Sequence, residues 1–148
     1  IAGNAFLKAM RSDGYTVPKN GTAFLSVNDS DKKRMVEIAR DLSELGFKLI
    51  ATQGTCDFLL KNNIPCEGIF KVGEGRPNIV DEILNDNIQI VINSPEGPQS
   101  RFDEEAIGKT SVMKNILTIT TIAGAKAAID SMKFLNQVNV KALQEYFE

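Results

Sequence analysis

Apolar positions in this chain fall alternately into short unbroken runs and into three- or four-residue periods. Thr22 to Val27 is a run with few polar residues, the pattern of a strand buried on both faces, and Asn28, Asp29 and Ser30 follow it as helix-start residues. From Asp31 to Leu45 the apolar residues Met35, Val36, Ile38, Ala39, Leu42 and Leu45 recur at helical spacing. Lys32, Lys33, Arg34, Glu37, Arg40 and Asp41 fall mostly on the opposite side of that helix. Gly46 sits where a left-handed C-terminal cap belongs. Phe47 to Ala51 then reads as a second strand, Thr55 to Asn62 as a short helix and Cys66 to Val72 as a weaker third strand. Pro65 separates the last two because its ring fits inside neither.

Beyond a loop from Gly73 to Pro77, Ile79, Val80, Ile83 and Leu84 mark another short helix, and Ile88 to Ile92 a fourth strand. A loop rich in Pro, Gly and Ser spans Asn93 to Phe102. A helix over Asp103 to Lys114, a strand over Ile116 to Thr120 and a helix over Ala123 to Phe134 complete the pattern. Val138, Leu143, Tyr146 and Phe147 predict one more amphipathic helix packed on the body. Strand and helix alternate five times, which predicts an α/β fold whose parallel sheet is covered on both faces by right-handed crossovers.

The ends of the chain read differently. Residues 11–21 hold two glycines and a proline with little periodicity, the composition of a linker, and the apolar piece before them (Ala5, Phe6, Ala9, Met10) has no partner of its own. With Ile1 in place of an initiator Met, residues 1–20 are expected to be the remnant of a preceding domain and its linker, and 21–148 one domain. A chain of 148 residues buries roughly 68–70% of its extended surface on folding, enough for a core.

Composition narrows the function classes. A net charge of −2 provides no field to draw the chain to nucleic acid or anionic lipid. The apolar runs fall far short of the ~20 residues that span a bilayer. No signal-peptide pattern opens the sequence, which is read as cytoplasmic. Cys56 and Cys66 have no companion ligands for a zinc set and are read as two reduced thiols, so no metal is assigned. Histidine is absent, which removes the commonest proton-transfer group near neutral pH; chemistry would rest on carboxylates, lysines or hydroxyls, and no catalytic residue is assigned.

Ligands of open α/β sheets lie at the carboxyl ends of the strands. Those ends deliver Ser26 and Asn28, then Thr52 with Gly54 and Thr55, then Lys71, then Asn93 and Ser94, then Thr120 and Thr121. Nearly all are small and polar, or cationic. Gly54 permits close backbone approach, Thr55 leads a helix whose first N–H groups are unpaired, and Lys32 stands in the first turn of the preceding helix, so together they suit an anion such as a phosphate. Taken singly, each has another use, since threonines favour strand ends and Gly-Thr also makes turns. In Gly73-Glu74-Gly75-Arg76-Pro77, Arg76 is equally placed to fork onto a phosphate or to pair with Glu74, Asp81 or Glu82.

Four segments in order, Thr22 to Lys32, Gly46 to Thr55, Lys71 to Pro77 and Ile90 to Asn93, resemble the C-terminal, methylglyoxal-synthase-like allosteric domain of the carbamoyl-phosphate synthetase large subunit. The resemblance implies a Rossmann-like three-layer sandwich with a five-stranded parallel sheet. It also implies a regulatory pocket for a nucleotide monophosphate such as UMP or IMP. Lys32, Thr52, Thr55 and Lys71 would hold the phosphate, with Ser26 and Asn93 near the ligand, and Gly54 and Arg76 complete the candidate set. Thr120 and Thr121 resemble threonines that contact ornithine in some members, and N-acetylglutamate, the effector of animal relatives, ranks below the nucleotides. The parent chain would use ATP and Mg2+, pair with a glutaminase small subunit and with further copies of itself, and serve arginine and pyrimidine biosynthesis; this domain itself would carry no cofactor. The chain departs from the pattern at Asn93-Ser94-Pro95, where bacterial members tend to have a second threonine. The alternative reading is methylglyoxal synthase acting on dihydroxyacetone phosphate, but Arg76 lies near the position of that enzyme's catalytic aspartate, and histidines are missing.

Overall fold

β1 (Gly21–Ser26) is buried along its last four residues and lies at the centre of the sheet, as its unbroken apolar run requires. In the computed structural model, which describes residues 18, 20–94 and 101–147, with side chains over 20–94 and 104–138, five parallel strands take the order β3-β2-β1-β4-β5. The other strands are β2 (Phe47–Thr52), β3 (Glu67–Ile69), β4 (Ile90–Asn93) and β5 (Leu117–Ile119). Chain direction across the sheet reverses between β1 and β4, whose last residues, Ser26 and Asn93, stand opposite each other in register. The expected N-terminal remnant and linker, the part of the second loop at 95–100 and the packing of the tail side chains lie outside the described residues.

Side chains on successive strand residues point to opposite faces, and two cores result. One joins Leu25, Leu49, Ala51 and Ile92 of the sheet to α1 (Lys32–Glu44), α2 (Gln53–Lys61) and α5 (Ile122–Phe147), through Met35, Ile38, Leu42, Leu59 and Ile129. The other joins Phe24, Ile50 and Val91 to α3 (Ile79–Leu84) and α4 (Arg101–Met113), through Ile79, Ile83 and Ile107. This is the expected three-layer α/β sandwich. Among the described residues no helix is long and apolar enough to cross a membrane.

Several boundaries differ from the sequence reading. β3 pairs over only three residues instead of running from Cys66 to Val72; it is the sheet edge, Glu67 and Gly68 are exposed, and past it Phe70 makes a single bridge to Asn78. α2 starts at Gln53, two residues earlier than expected, with Thr52 in extended backbone as its N-cap residue. The separate tail helix is not found. α5 runs unbroken to Phe147, because after Gly124 the sequence contains no glycine or proline to stop it. Gly46 does close α1, at φ 98°, donating its N–H to Ser43 O.

The start of α3 is fixed by a reciprocal cap. Asn78 Oδ1 accepts from the N–H groups of Val80 (3.0 Å) and Asp81 (3.2 Å), while Asp81 Oδ2 accepts from Asn78 N at 2.9 Å. Asn78 is buried, so its loss leaves donors unpaired with little access to water. Asn78→Ala is expected to lower stability by about 1 kcal/mol in a urea titration, at the middle of the range for lost caps; an unchanged midpoint would show that α3 does not depend on it. Ser111 makes the opposite case: its hydroxyl is fully buried on α4 with no hydrogen-bond partner among the described residues. Ser111→Ala, which removes the unsatisfied group, is expected to be neutral or to raise the urea midpoint, and a loss above about 1 kcal/mol would mean the hydroxyl is satisfied in solution.

Candidate functional site

β1, β2 and β4 end together, and a set of short polar side chains meets there. Thr52 Oγ1 donates to Ser26 Oγ at 3.5 Å, and both residues are buried. Thr55, in the first turn of α2, is buried with its Oγ1 accepting from Val27 N at 3.4 Å. A Cβ placed on Gly54 would lie 3.5 Å from Lys32 Nζ, so the ammonium of α1 stands over the glycine that opens α2. Asn93 ends β4 beside Ser26. Six predicted residues, Ser26, Lys32, Thr52, Gly54, Thr55 and Asn93, are therefore gathered around the reversal point.

The other predicted residues are placed differently. Lys71, partly buried, follows the edge strand at the same end of the sheet, where Ile69 pairs with Thr52. Its carbonyl closes a turn with Glu74 N (3.1 Å), and Gly73 takes the positive φ of 90° that the third position of a type II turn needs. Arg76 does not join the cluster: its side chain is 83% exposed and its Nη2 sits 3.0 Å from Asp81 Oδ1. Thr120 and Thr121 are exposed beyond β5, one strand further along the sheet. Thr121 Oγ1 accepts from Gly124 N at 3.0 Å and so caps α5.

Two site-building residues carry more of the geometry than the sequence reading gave them. Ser94 N donates to Ser26 O at 2.9 Å, and its buried Oγ accepts from Asn28 N at 3.1 Å, so it ties the loops after β1 and β4 together. Asn28 caps the single 3₁₀ turn at Asp29–Asp31, its Oδ1 accepting from Asp31 N at 2.9 Å. Asn78 and Asp81 could have been found from their Asn-x-x-Asp spacing, the pattern of a capping box.

Lys32 is held by Asp29 at 2.6 Å. The hydrogen bond from Lys32, reinforced by its charge, keeps the exposed Asp29 carboxyl below the usual carboxylate range. Asp81 is also held low, chiefly by the Asn78 N–H and further by Arg76, against the opposing effect of desolvation. What the strand-end cluster offers is therefore hydroxyls, helix-start N–H groups and a cation paired to a carboxylate. Among the described residues no three His, Cys, Asp or Glu side chains gather to hold a metal ion.

Among the described residues, two further concavities lie along other elements. A groove of about 740 Å³ runs over β2 and β3 on the second face, among Lys48, Ile50, Glu67, Phe70 and Glu82. A cleft of about 320 Å³ between α1 and α5 is lined by charges of both signs, with Lys133 Nζ paired to Asp41 at 3.2 Å.

Strand order, reversal point and polar strand ends define an open, doubly wound α/β domain. Residues 34–120 match the family model described as the MGS-like domain. The chain belongs to the MGS-like domain family. It is 48% identical over 130 residues to the carbamoyl phosphate synthase large chain of Acidobacterium capsulatum, covering 88% of this chain and 12% of that one. Against the large chain of Archaeoglobus fulgidus it is 41% identical over 149 residues, covering 99% and 14%. Against the Methanopyrus kandleri protein described as the carbamoyl phosphate synthase large chain, C-terminal section, it is 45% identical over 139 residues, covering 93% and 26%. The chain thus spans about one eighth of the full-length large chains it matches. Among solved structures, methylglyoxal synthase from Elizabethkingia anophelis superposes with a TM-score of 0.61 at 19% identity, covering 76% of this chain and 79% of that one, a likeness of fold.

The Asp81 carboxylate gives a pH test of the α3 cap. Its folded pKa is depressed below the ordinary value of 3.8, so its contribution is present above that value and is lost as pH falls through the folded pKa. Asp81→Asn is expected to be less stable than the parent at pH 5 to 7, with the deficit shrinking as pH falls below 3.8, by thermal unfolding. A deficit that persists undiminished at pH 2 would mean that the charge does not matter.

Proposed function

We propose that this chain is the allosteric domain of a glutamine-dependent, ATP-using carbamoyl-phosphate synthetase large chain, and that its strand-end cluster binds a nucleotide monophosphate such as UMP or IMP. The observation that carries the reading is the convergence of Ser26, Lys32, Thr52, Gly54 and Thr55 at the reversal point, in a chain similar over nearly its whole length to large chains of that synthetase. In this account the phosphate sits on the N–H groups that open α2, against the Thr52 and Thr55 hydroxyls, and Lys32 exchanges Asp29 for it. Exposed ion pairs are weak, so that exchange costs little. Lys71 closes the phosphate site from the β3 side, and Asn93 meets the rest of the nucleotide. Arg76 remains with Asp81, outside the first contact layer.

Charge-assisted hydrogen bonds contribute roughly 1.5–3 kcal/mol each, and three or four support binding near −8 kcal/mol, about micromolar. Regulation follows when the ligand favours one of two states of the parent enzyme, a coupling of about 1–3 kcal/mol. The partners are then the upstream synthetase domains, which use ATP and Mg2+, and a glutaminase small subunit, in the cytoplasm, serving arginine and pyrimidine biosynthesis. Thr120 and Thr121 stand on a separate surface for any second effector of the ornithine kind.

Calorimetry with UMP and IMP is expected to give binding, weakened about 10- to 100-fold by Lys32→Ala or Lys71→Ala, the loss of one charge-assisted bond. No binding at millimolar ligand, or affinity indifferent to both substitutions, would sink the site. Release of methylglyoxal from dihydroxyacetone phosphate by the same preparation would replace a ligand sensor with a lyase.

A further inference from the structure

Cys56 and Cys66 lie ten positions apart in sequence and against each other in the fold. Cys56 is in the first turn of α2 and buried; Cys66 directly precedes β3 and is half-buried; both are free thiols. Cys56 Sγ donates to the carbonyl oxygen of Cys66 at 3.5 Å, so the buried thiol lies against the residue that carries the second one. A Cβ placed on Gly68 of β3 would lie 3.9 Å from Cys56 Sγ, so the buried sulfur faces the edge strand. Cys66 Sγ lies 3.7 Å from Glu67 O. Neither sulfur has a part in the strand-end cluster, and neither faces a metal-ligand set among the described residues.

We infer that Cys56 and Cys66 are an oxidisable pair that closes to an intramolecular disulfide, a modification site joining the first turn of α2 to the start of β3. The co-reactant is a low-molecular-weight disulfide. The accessible Cys66 thiolate attacks one of its sulfurs, the S–S bond breaks, and a first thiolate leaves while a mixed disulfide forms on Cys66. Cys56, deprotonated, then attacks the Cys66 sulfur and expels the second thiolate. Two protein thiols are oxidised, one small disulfide is reduced to two thiols, and the two protons lost by the cysteines are taken up by the departing thiolates. Burial, together with the neighbouring Cys56 and Glu67, pushes the Cys66 thiol up to about 12, which keeps the exchange slow near neutral pH without changing where it ends.

The link would close residues 57–65 into a loop and fasten the turn that carries Gly54 and Thr55 to an edge strand held by a three-residue ladder. A pair already in contact in the folded chain loses less freedom on bridging than the same pair in an unfolded one.

The test is an equilibrium in mixtures of reduced and oxidised glutathione, read by intact mass and by peptide mapping after acid quenching. The folded chain is expected to form the Cys56–Cys66 bridge at a glutathione ratio at least about tenfold more reducing than the urea-unfolded chain requires. Cys56→Ser and Cys66→Ser are each expected to stop at a glutathione adduct or a free thiol. A folded chain that bridges no more readily than the unfolded one, carries only the adduct on Cys66, or links to a second copy would overturn the inference. None of these readings depends on nucleotide binding.

Discussion

Everything at the candidate site depends on the pairing of β1 with β4. β1 is bonded on both sides, and the chain leaves it toward β2 and β3 in one direction and returns beside it as β4 in the other. At that seam neighbouring connections diverge to opposite faces, so the backbone beyond Ser26 and Asn93 opens instead of being covered. Ser94 then closes the seam from above, bonding the carbonyl of Ser26 and the N–H of Asn28. The three-residue turn capped by Asn28 follows at once and sets the start of α1, and with it the direction of Lys32 toward Gly54. One strand pairing thus places a cation from one helix over the first N–H groups of the next.

The alternation of elements was legible because each strand that the sheet buries on both faces needs a run with few polar residues, and each covering helix needs a stripe. Thr22 to Val27 and Phe47 to Ala51 show the first, and Met35, Ile38, Ala39 and Leu42 the second. The edge strand was over-extended because Phe70 and Val72 look like strand residues, yet a strand paired on one side gains no ladder beyond its partner's end. The continuous α5 was divided in error, since a change in polar pattern does not end a helix without a stop residue. Strand-end residues were recoverable from order alone, because a parallel sheet puts all carboxyl ends on one side. Pairing among charges was not: Arg76 had three carboxylates in reach by sequence, and only the capped geometry of α3 selects Asp81.

Two ion pairs are already formed, one at the seam and one away from it. Lys32 lies on Asp29 and Arg76 on Asp81, and both carboxyls are held toward their ionised form. Asp29 is exposed while Lys32 is half-shielded, so an incoming dianion would exchange one carboxylate for several oxygens without uncovering a buried charge. In the proposed reading, that arrangement suits an anion.

The most direct measurement is an amide-resolved NMR titration of the chain with UMP, with inorganic phosphate in parallel. The account predicts that the N–H signals of Lys32, Gly54, Thr55 and Asn93 move together along one binding curve, and that phosphate alone moves the first three. Shifts centred instead on the β2–β3 groove around Lys48, Glu67 and Phe70, or on the α1–α5 cleft around Arg34 and Lys126, would contradict it, as would a spectrum unmoved at millimolar ligand.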